Sequence, residues 1–532
     1  LTTAFLRDST AIAQAEADGA KMSMDYQDAG GVLYFNHAAD SPTSDATLRE
    51  AISLAIDIDV LNDRAHNGDM RVAKSVVVPG SPYYSDAVLE GATDAARAAE
   101  LVAESGFSGT LRLLCGNRGA AVEIGLATEA MLEAIGLDVE INAQGTSAGI
   151  AEMIAGNYDV NCGGWNAGGA TAISSYVRNL QSTSPSNRMS YESAEMDSLL
   201  SAALSADKAD VPAALAAINN LIVTEWVSVP YGALPEGIVI ADNLEGVKQT
   251  TSTIFLFDDA YFTSGGQAAP VSALGTPAEV TPACDATVPG SEIVYGPFYA
   301  GRGFDPPYSS GALVGGTELA AVYDTLIRYN PETAGFEPQL ARDMTVNEDF
   351  TVWTLHLRDG ITYDDGTPLD ADMVVANHER FFTPTSEDRR IINTSPAFLQ
   401  FIEETKVIDS LTVEYHLIQP WATFPFVLSD EPGFIINVNA VGDDPEAFNA
   451  LPPAHAGVGA YTVEKNTPGE EIVFKARDNY WGGPVCVETL RFNMAAASAL
   501  IGATGAYEAF QNGDLTTAFL RDSTAIAQAE AD

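Results

Sequence analysis

The spacing of apolar residues predicts strands and helices in alternation. In FTVWTLHLRD (350–359) apolar residues recur at every second position, which predicts a strand that forms a hairpin around the DGT turn at 365–367. The segment 406–420 shows the same period and is predicted to be a second hairpin. A helical period predicts helices over 315–330 and over 370–382, the latter with Asp370 as its N-cap.

One part of the chain repeats a strand–helix unit. TLRLLCG, LDVEINAQ and YDVNCGGW are predicted strands, and AVEIGLATEAMLEAIG and SAGIAEMIAG are predicted helices between them. This order and spacing predict a parallel sheet with right-handed crossovers. Open sheets of this kind bind ligands at the carboxyl ends of their strands. The predicted segments span 110–116, 121–136, 137–144, 147–156 and 158–165.

Four cysteines show no C-x-x-C spacing, which excludes zinc-ribbon and thioredoxin motifs. They are either buried thiols or two disulfides. Cys115 and Cys162 lie near the carboxyl ends of the first and third strands of the repeated unit, and we expect them to pair because those strands are candidate neighbours. By elimination, Cys284 then pairs with Cys486.

The first 18 residues, LTTAFLRDSTAIAQAEAD, recur without change as residues 515–532. Joining residue 532 to residue 19 gives a continuous text, so we interpret the chain as a circular permutation. The Gly-, Pro- and Ala-rich segment 263–290 is then the linker that contains the natural termini. A natural N-terminus near Cys284 also accounts for the lack of a signal-peptide pattern at residue 1.

The repeat places two copies in competition for one position in the fold. We expect one copy to pack its Phe–Leu pair, Phe5 and Leu6 or Phe519 and Leu520, while the other is exposed. The alternative is that the surplus copy exchanges into a second molecule.

Composition and charge exclude several classes of function. Of the 532 residues, 46% are hydrophobic, which is enough for large cores, and no run of about 18 apolar residues predicts a membrane helix. With 73 acidic and 26 basic residues, the formal charge of −47 makes nucleic acids and anionic membrane surfaces poor partners. The six histidines lack metal-binding spacing, so no metal or other cofactor is expected.

Several longer motifs resemble one family when the chain is taken in permuted order. They are FDPPYSSGALVGGTELAAVYDTLIRYN, DFTVWTLHLRDGITYDDGTPLDADMVVANHERF, GVGAYTV with RDNYWGGP, YFNHAADSPTSDATLREAISLAID and SVPYGALPEGIVIADNLEGV. Together they are similar to the extracytoplasmic solute-binding proteins of ABC transporters, in the peptide, nickel and opine group known as family 5.

This resemblance implies an α/β fold: a two-lobed clamp of the type II periplasmic-binding-protein class with an extra small α/β domain. It also implies capture of a small ligand in the cleft between the lobes and its delivery to the subunits of an ABC permease, without catalysis. The implied protein is a periplasmic or otherwise extracytoplasmic monomer, with a lipid anchor as an option. Its lobe I combines 1–32, 229–262, 291–330 and 457–532, hinge strands lie at 33–36 and near 229–233, lobe II is 37–228, and the extra domain is 331–456.

The resemblance also implies ligand-binding residues near the last strand of lobe II. In peptide-binding members a Trp on that strand precedes, by three residues, an Asp that binds the peptide amino group. Here Trp165 and Asn166 match the strand, but Gly168 occupies the Asp position. Because an unpaired buried ammonium costs several kcal/mol, we expect a ring, a sugar or a modified amino acid instead of an ordinary peptide.

Other candidate ligand contacts have structural alternatives. Tyr176 and Arg178 follow the Trp165 strand, and Arg178 is either a carboxylate clamp or a salt-bridge partner. Trp165 is alternatively a core aromatic, Trp421 alternatively packs between Phe424 and Phe426, and His37 is more easily explained as structural. The remaining candidates are Asn36 at the hinge and Ser309 and Ser310 after the first strand of lobe I.

An enzymatic alternative rests on GTSAG at 145–149, which matches the nucleophile-elbow pattern of serine hydrolases between a predicted strand and a predicted helix. In permuted order every histidine precedes Ser147, contrary to the order that this class requires. Ser147 is equally explained as the N-cap of the following helix. The hydrolase interpretation is therefore the weaker one.

Overall fold

The structure is a computed structural model. It describes residues 4–6, 21–26, 29–66, 68, 70–75, 77–79, 81, 83–117, 120–167, 172–184, 186–207, 209–233, 235–240, 243–250, 254–263, 284–297, 303–308, 315–330, 335–382, 399–496 and 517–519. Within these residues, no helix is long and apolar enough to cross a membrane.

The described residues form strands and helices, which alternate one by one from residue 110 to residue 180, as the following bounds show. The strands are β1 (Ala4–Leu6), β2 (Lys21–Tyr26), β3 (Ala29–Phe35), β4 (Thr110–Gly116), β5 (Asp138–Gln144), β6 (Val160–Ala167), β7 (Ser228–Gly232), β8 (Pro235–Ile240), β9 (Leu244–Glu245), β10 (Lys248–Gln249), β11 (Phe255–Leu256), β12 (Tyr261–Phe262), β13 (Val288–Gly296), β14 (Ile327–Asn330), β15 (Gly335–Pro338), β16 (Ala341–Val346), β17 (Val352–Leu357), β18 (Ile402–Asp409), β19 (Thr412–Leu417), β20 (Tyr461–Thr467), β21 (Glu471–Ala476), β22 (Val487–Asn493) and β23 (Thr517–Phe519). The helices are α1 (Ala46–Ala55), α2 (Ile58–His66), α3 (Ala95–Ser105), α4 (Ala120–Ala134), α5 (Thr146–Ile154), α6 (Ala172–Leu180), α7 (Ala194–Leu204), α8 (Val211–Thr224), α9 (Thr317–Val322), α10 (Ala371–Phe382) and α11 (Pro445–Ala450).

The chain divides into two compact units. Unit 1 consists of Leu1–Leu6, Thr10–Ser23 and Gly237–Asp532, and unit 2 consists of Arg7–Ser9 and Met24–Glu236. The finer division into lobes, hinge and extra domain stays a prediction.

Unit 2 is built on a five-stranded sheet in the order β5-β4-β6-β3-β7. Strand β4 pairs in parallel with β5 and with β6, so the predicted strand–helix repeat is confirmed. Strand β3 runs antiparallel to β6 and β7. Its core combines side chains of β3 and β4 with helices α1, α3 and α4, including Phe35, Leu113, Ile52, Leu101 and Leu132. Helix α1 begins where the Asp45 side chain accepts a hydrogen bond from Thr47 N, which satisfies one of its free N–H groups.

Unit 1 contains an eight-stranded sheet in the order β2-β8-β1-β23-β13-β22-β21-β20 and a four-stranded sheet in the order β16-β17-β19-β18. Aromatic rings of Tyr295, Phe474 and Phe492 form edge contacts at 4.9 Å in the core over the larger sheet. The predicted hairpin of 406–420 is confirmed as β18 and β19. The predicted helix α10 is also confirmed, with Asp370 Oδ1 accepting from Met373 N at 2.9 Å.

Two predictions in unit 1 are wrong. The helix predicted over 315–330 ends at Val322, and the chain continues into β14, because Ile327–Asn330 pairs with β15 instead of completing a helical face. The prediction that the 350–359 strand forms a hairpin around the DGT turn is also wrong, since this strand is β17 and pairs with β16 and β19. The turn instead closes a shorter antiparallel pairing, in which Tyr363 N donates to Thr367 O and Leu369 N donates to Ile361 O.

The three described residues of each copy of the repeated segment lie in the larger sheet. Strands β1 and β23 are parallel neighbours, and identical residues are opposite each other, Ala4 with Ala518 and Phe5 with Phe519. The expectation of a single position for the two copies is therefore wrong, because β23 pairs with β13 while β1 pairs with β8. Which copy buries its Phe–Leu pair stays a prediction, since the burial of these side chains lies outside the described part of the structure. The circular permutation itself stays a prediction.

Candidate functional site

The candidate site is the carboxyl edge of the unit 2 sheet. Strands β4, β5 and β6 all end at this edge because they are parallel. Antiparallel β3 begins there, with Ala29 opposite Ala167, and Gly232 at the end of β7 is opposite Gly31. This is the edge at which open α/β sheets bind ligands.

Two helices begin directly after strands that end at this edge. Helix α5 follows β5, with Gly145 as its N-cap residue and without a side-chain cap. The prediction that Ser147 is the N-cap is therefore wrong, since the helix starts one residue earlier at Thr146. The side chain of Ser147 lies outside the described part of the structure. Helix α6 follows β6.

Two tyrosines pack against glycines of β6 and β3. Tyr34 Oη donates to Gly164 O at 2.7 Å, and Tyr231 Oη donates to Gly163 O at 3.2 Å. A Cβ added to Gly163 meets the Tyr34 ring at 2.1 Å, and one added to Gly31 meets the Tyr231 ring at 1.9 Å. Gly163 and Gly31 are therefore required by tyrosine packing, whereas a Cβ on Gly164 would make only an ordinary contact, 3.6 Å from Gly30 O. The signal that could have revealed this is the strand register, which places these tyrosines beside a Gly–Gly pair.

The predicted residues on β6 lie at this edge. The backbone of Trp165 and Asn166 lies at the carboxyl end of β6, next to the start of β3. Their side chains are outside the described part of the structure, as are Gly168, Ser309 and Ser310.

The predicted residues on α6 have different surroundings. Tyr176 is fully buried, so its ring packs inside unit 2. This burial favours a structural role over the predicted ligand contact. Arg178 is half-buried in the last turn of α6. Burial raises the pKa of Tyr34, and the positive charges of Arg178 and Arg188 oppose that rise.

The two hinge residues form structural contacts. Asn36 is buried and donates to Tyr158 O at 3.0 Å while accepting from Ala38 N at 3.1 Å. The Nε2 atom of His37 lies 2.9 Å from Val227 O, and a carbonyl can only accept, so Nε2 carries the proton. Burial lowers the pKa of His37 to about 4, which keeps the ring neutral at pH 7. The structural explanation of His37 therefore describes its contacts.

Trp421, in unit 1, also makes packing contacts. Its side chain is fully buried, its Nε1 donates to Thr423 Oγ1 at 3.0 Å, and its ring meets Phe401 and Phe424 at 5.4 Å and 5.7 Å. The packing alternative, with Phe424 as predicted and Phe401 as a further neighbour, agrees with this burial better than a ligand contact.

Both predicted disulfides are confirmed. Cys115 on β4 bonds Cys162 on β6, with a Cα–Cα distance of 4.8 Å, and Cys284 bonds Cys486 at 5.8 Å. The first bridge ties the two strands that end at the candidate site. Among the described residues, no group of three or more His, Cys, Asp or Glu side chains is arranged to bind a metal ion.

Comparison with known proteins places the chain in a family. The family model described as "Bacterial extracellular solute-binding proteins, family 5 Middle" matches residues 3–187 and 335–532, which is more than half of the chain. The dipeptide-binding protein of Escherichia coli (strain K12) is 25% identical over 226 residues, which are 39% of this chain and 42% of that protein. The nickel-binding periplasmic protein of the same organism is 25% identical over 197 residues, 36% of this chain and 35% of that protein.

The chain thus aligns with less than half the length of these relatives. Among solved structures, the substrate-binding domain of an oligopeptide ABC transporter from Bacillus anthracis matches 50% of this chain and 55% of its own, with 21% identity and a TM-score of 0.42. The extent of the family-model match shows that the chain belongs to family 5 of the bacterial extracellular solute-binding proteins.

Proposed function

We propose that this chain is an extracytoplasmic solute-binding protein, which captures a small ligand and delivers it to an ABC permease. The observation that supports this most strongly is the family match over more than half of the chain. Relatives of the chain include a dipeptide-, a nickel- and a glutathione-binding protein, and the nickel-binding protein is named as periplasmic. Two disulfides agree with an oxidising compartment outside the cytoplasm.

The ligand we propose carries a carboxylate. Arg178 is a half-buried cation close to β6, and the ion pairs of described residues in unit 2 involve Arg97 and Arg112 instead. A guanidinium offers two parallel donors to a carboxylate. Gly168, in place of the Asp of peptide-binding members, argues against a free peptide amino group. Opines and modified amino acids fit both features, with Trp165 as a stacking surface.

A melting-shift screen of the purified protein tests this function. The panel contains dipeptides, glutathione, opines, sugars and a nickel–histidine complex. A true ligand at a hundredfold excess over its Kd stabilises the folded protein by about 2.7 kcal/mol, which appears as a clear rise in Tm without turnover. If no member raises Tm and a fluorophosphonate probe labels Ser147 stoichiometrically, the hydrolase alternative replaces the binding function.

Two matched arginine variants test the ligand class by calorimetry. We expect Arg178→Met to weaken a carboxylate ligand by about 10- to 100-fold, because a charge-assisted bidentate hydrogen bond is lost. Arg97→Met, on helix α3 and paired with Glu100 and Glu104 at the surface, should leave the affinity unchanged. Equal affinity in both variants would refute the role of Arg178 while leaving the binding function intact.

A further inference from the structure

The repeated segment forms a strand that pairs with its own copy. Strands β1 and β23 have the same sequence in the aligned positions, and they pair in parallel with Ala4 opposite Ala518 and Phe5 opposite Phe519. The register is therefore the one that identical segments adopt when they lie side by side. Nothing in this pairing depends on the two copies belonging to the same molecule.

Each copy also has a second partner on its outer side. Strand β23 pairs in parallel with β13, with Tyr295 opposite Thr517, and β1 pairs antiparallel with β8, with Phe5 opposite Ile238. Because the copies are identical, either one presents the hydrogen-bonding groups that β8 and β13 require. The position between β8 and β23 accepts any chain that supplies this segment.

We propose that β1 is an exchangeable strand, through which two copies of this chain associate by reciprocal swapping. In the exchanged dimer, β1 of each molecule lies between β8 and β23 of the other, and every backbone pairing of the monomer is kept. The monomer is then one of two states, and the exchanged dimer is the other. Since the contacts are the same in both, the balance depends on protein concentration and on the effective concentration of the intramolecular copy.

The length of chain next to β1 permits this exchange. Residues 7–20 separate β1 from β2, and a stretch of that length spans up to about 46 Å when it is extended. Strand β2 lies on the far side of β8 in the sheet order, so this connection already crosses one strand within the monomer.

The test uses two variants that each add one cysteine to the four native ones, Ala4→Cys and Ala518→Cys. The two positions are opposite each other across the β1–β23 pair. The variants are mixed in equal amounts and unfolded together in urea at acidic pH without reductant, where the added thiols stay protonated and do not attack the native disulfides. They are then refolded and treated with a bis-maleimide. Each chain then carries one free thiol, so any cross-link joins two molecules. Tryptic peptides identify which positions are joined.

Exchange predicts that cross-links between Ala4→Cys of one chain and Ala518→Cys of another exceed both like-with-like cross-links several-fold. The yield should rise with protein concentration, and light scattering of the unmodified chain should show a dimer fraction that rises in parallel. Each variant refolded alone is the control for chance collision. Equal yields of the three pairings, or a monomer at every concentration with no cross-link above the control, would overturn the proposal.

Discussion

The two units stabilise their buried cations with different groups: backbone carbonyls in unit 2 and carboxylates in unit 1. In unit 2, Arg49 donates to the carbonyl oxygens of Trp226, Thr43 and Ser44 at 2.9 to 3.0 Å, and Lys74 Nζ donates to those of Ser53 and Ala92 at 2.9 Å and 2.6 Å. Both side chains are more than nine-tenths buried. Neither makes an ion pair with a described carboxylate, so the hydrogen bonds to each charged group come from backbone carbonyls.

In unit 1, the buried cations contact carboxylates. Arg328 pairs with Asp258 at 2.8 Å and with Asp324 at 3.1 Å, and Asp324 also accepts from Trp481 Nε1 at 2.7 Å. Arg477 pairs with Asp364 in the same manner. The network therefore ties β14 to the aromatic turn that precedes β22.

The pKa values show what this difference does. In unit 2, burial lowers the pKa of Arg49, and it lowers that of Lys74 to about 8, because carbonyl dipoles only partly replace water. In unit 1, burial also opposes the charge of Arg328, but the charges of Asp258 and Asp324 outweigh it and raise the pKa above its ordinary value. Carbonyl solvation leaves Lys74 with a pKa of about 8, whereas pairing with carboxylates keeps Arg328 charged and makes the paired groups mutually dependent.

The largest expected effect comes from breaking the unit 1 network. Replacing Arg328 by Met leaves Asp258 and Asp324 buried without a cation, which should cost about 3–5 kcal/mol of unfolding free energy. Urea unfolding of the wild type and the variant measures this loss. Arg342→Met, which removes an exposed pair with Asp343 in the same unit, is the control and should change stability by less than about 1 kcal/mol. Equal losses would mean that burial of the network is unimportant.

A pH titration of stability tests the unit 2 arrangement. The pKa of Lys74 is about 8 in the folded protein against 10.5 when exposed, so the unfolded chain binds more protons between these values. Stability therefore rises with pH across this window, by up to about 3 kcal/mol. The wild type minus Lys74→Met difference isolates this contribution, with Lys465→Met at the surface as control. A flat difference from pH 8 to 10.5 would show that Lys74 is not desolvated.

The smallest expected effect comes from breaking the Arg112–Asp159 ion pair of unit 2. Asp159 is buried and bonds the guanidinium of Arg112 at 2.6 Å, but it also accepts from Arg112 N at 2.8 Å and from Ser41 Oγ at 3.1 Å. Because these two donors remain and Arg112 is 45% exposed, Arg112→Met should cost only about 1–2 kcal/mol. Urea unfolding compares it directly with Arg328→Met. A loss as large as that of Arg328→Met would end the contrast between the units.

Local pattern was sufficient where neighbours in sequence are also neighbours in space. The strand–helix repeat from β4 to β6, the β18–β19 hairpin and the Asp370 cap were all predicted, since each depends on apolar period or on a contact within a few residues. The same pattern failed at 315–330, where pairing of β14 with β15 ended a helix that the apolar period continued.

The candidate site divides along the same line. The order of strands predicted its location at the carboxyl edge and the Cys115–Cys162 bridge beside it. It did not predict that Tyr34 and Tyr231 cover the glycines of β6, because residues 34, 163 and 231 meet only through strand register. For the same reason, it could not separate Trp421 in an aromatic cluster from Trp421 at a ligand.

The sequence by itself determined the family, through motifs spread along the chain, as well as the parallel core of unit 2, the cysteine pairs and the repeat at the two ends. Only the tertiary structure decided how that repeat is used, with both copies paired in one sheet, and which buried cations are paired with carboxylates. The physical reason is that sheet register and charge solvation depend on atoms far apart in the chain. Packing brings those atoms together, and the order of residues along the chain does not show which distant residues become neighbours.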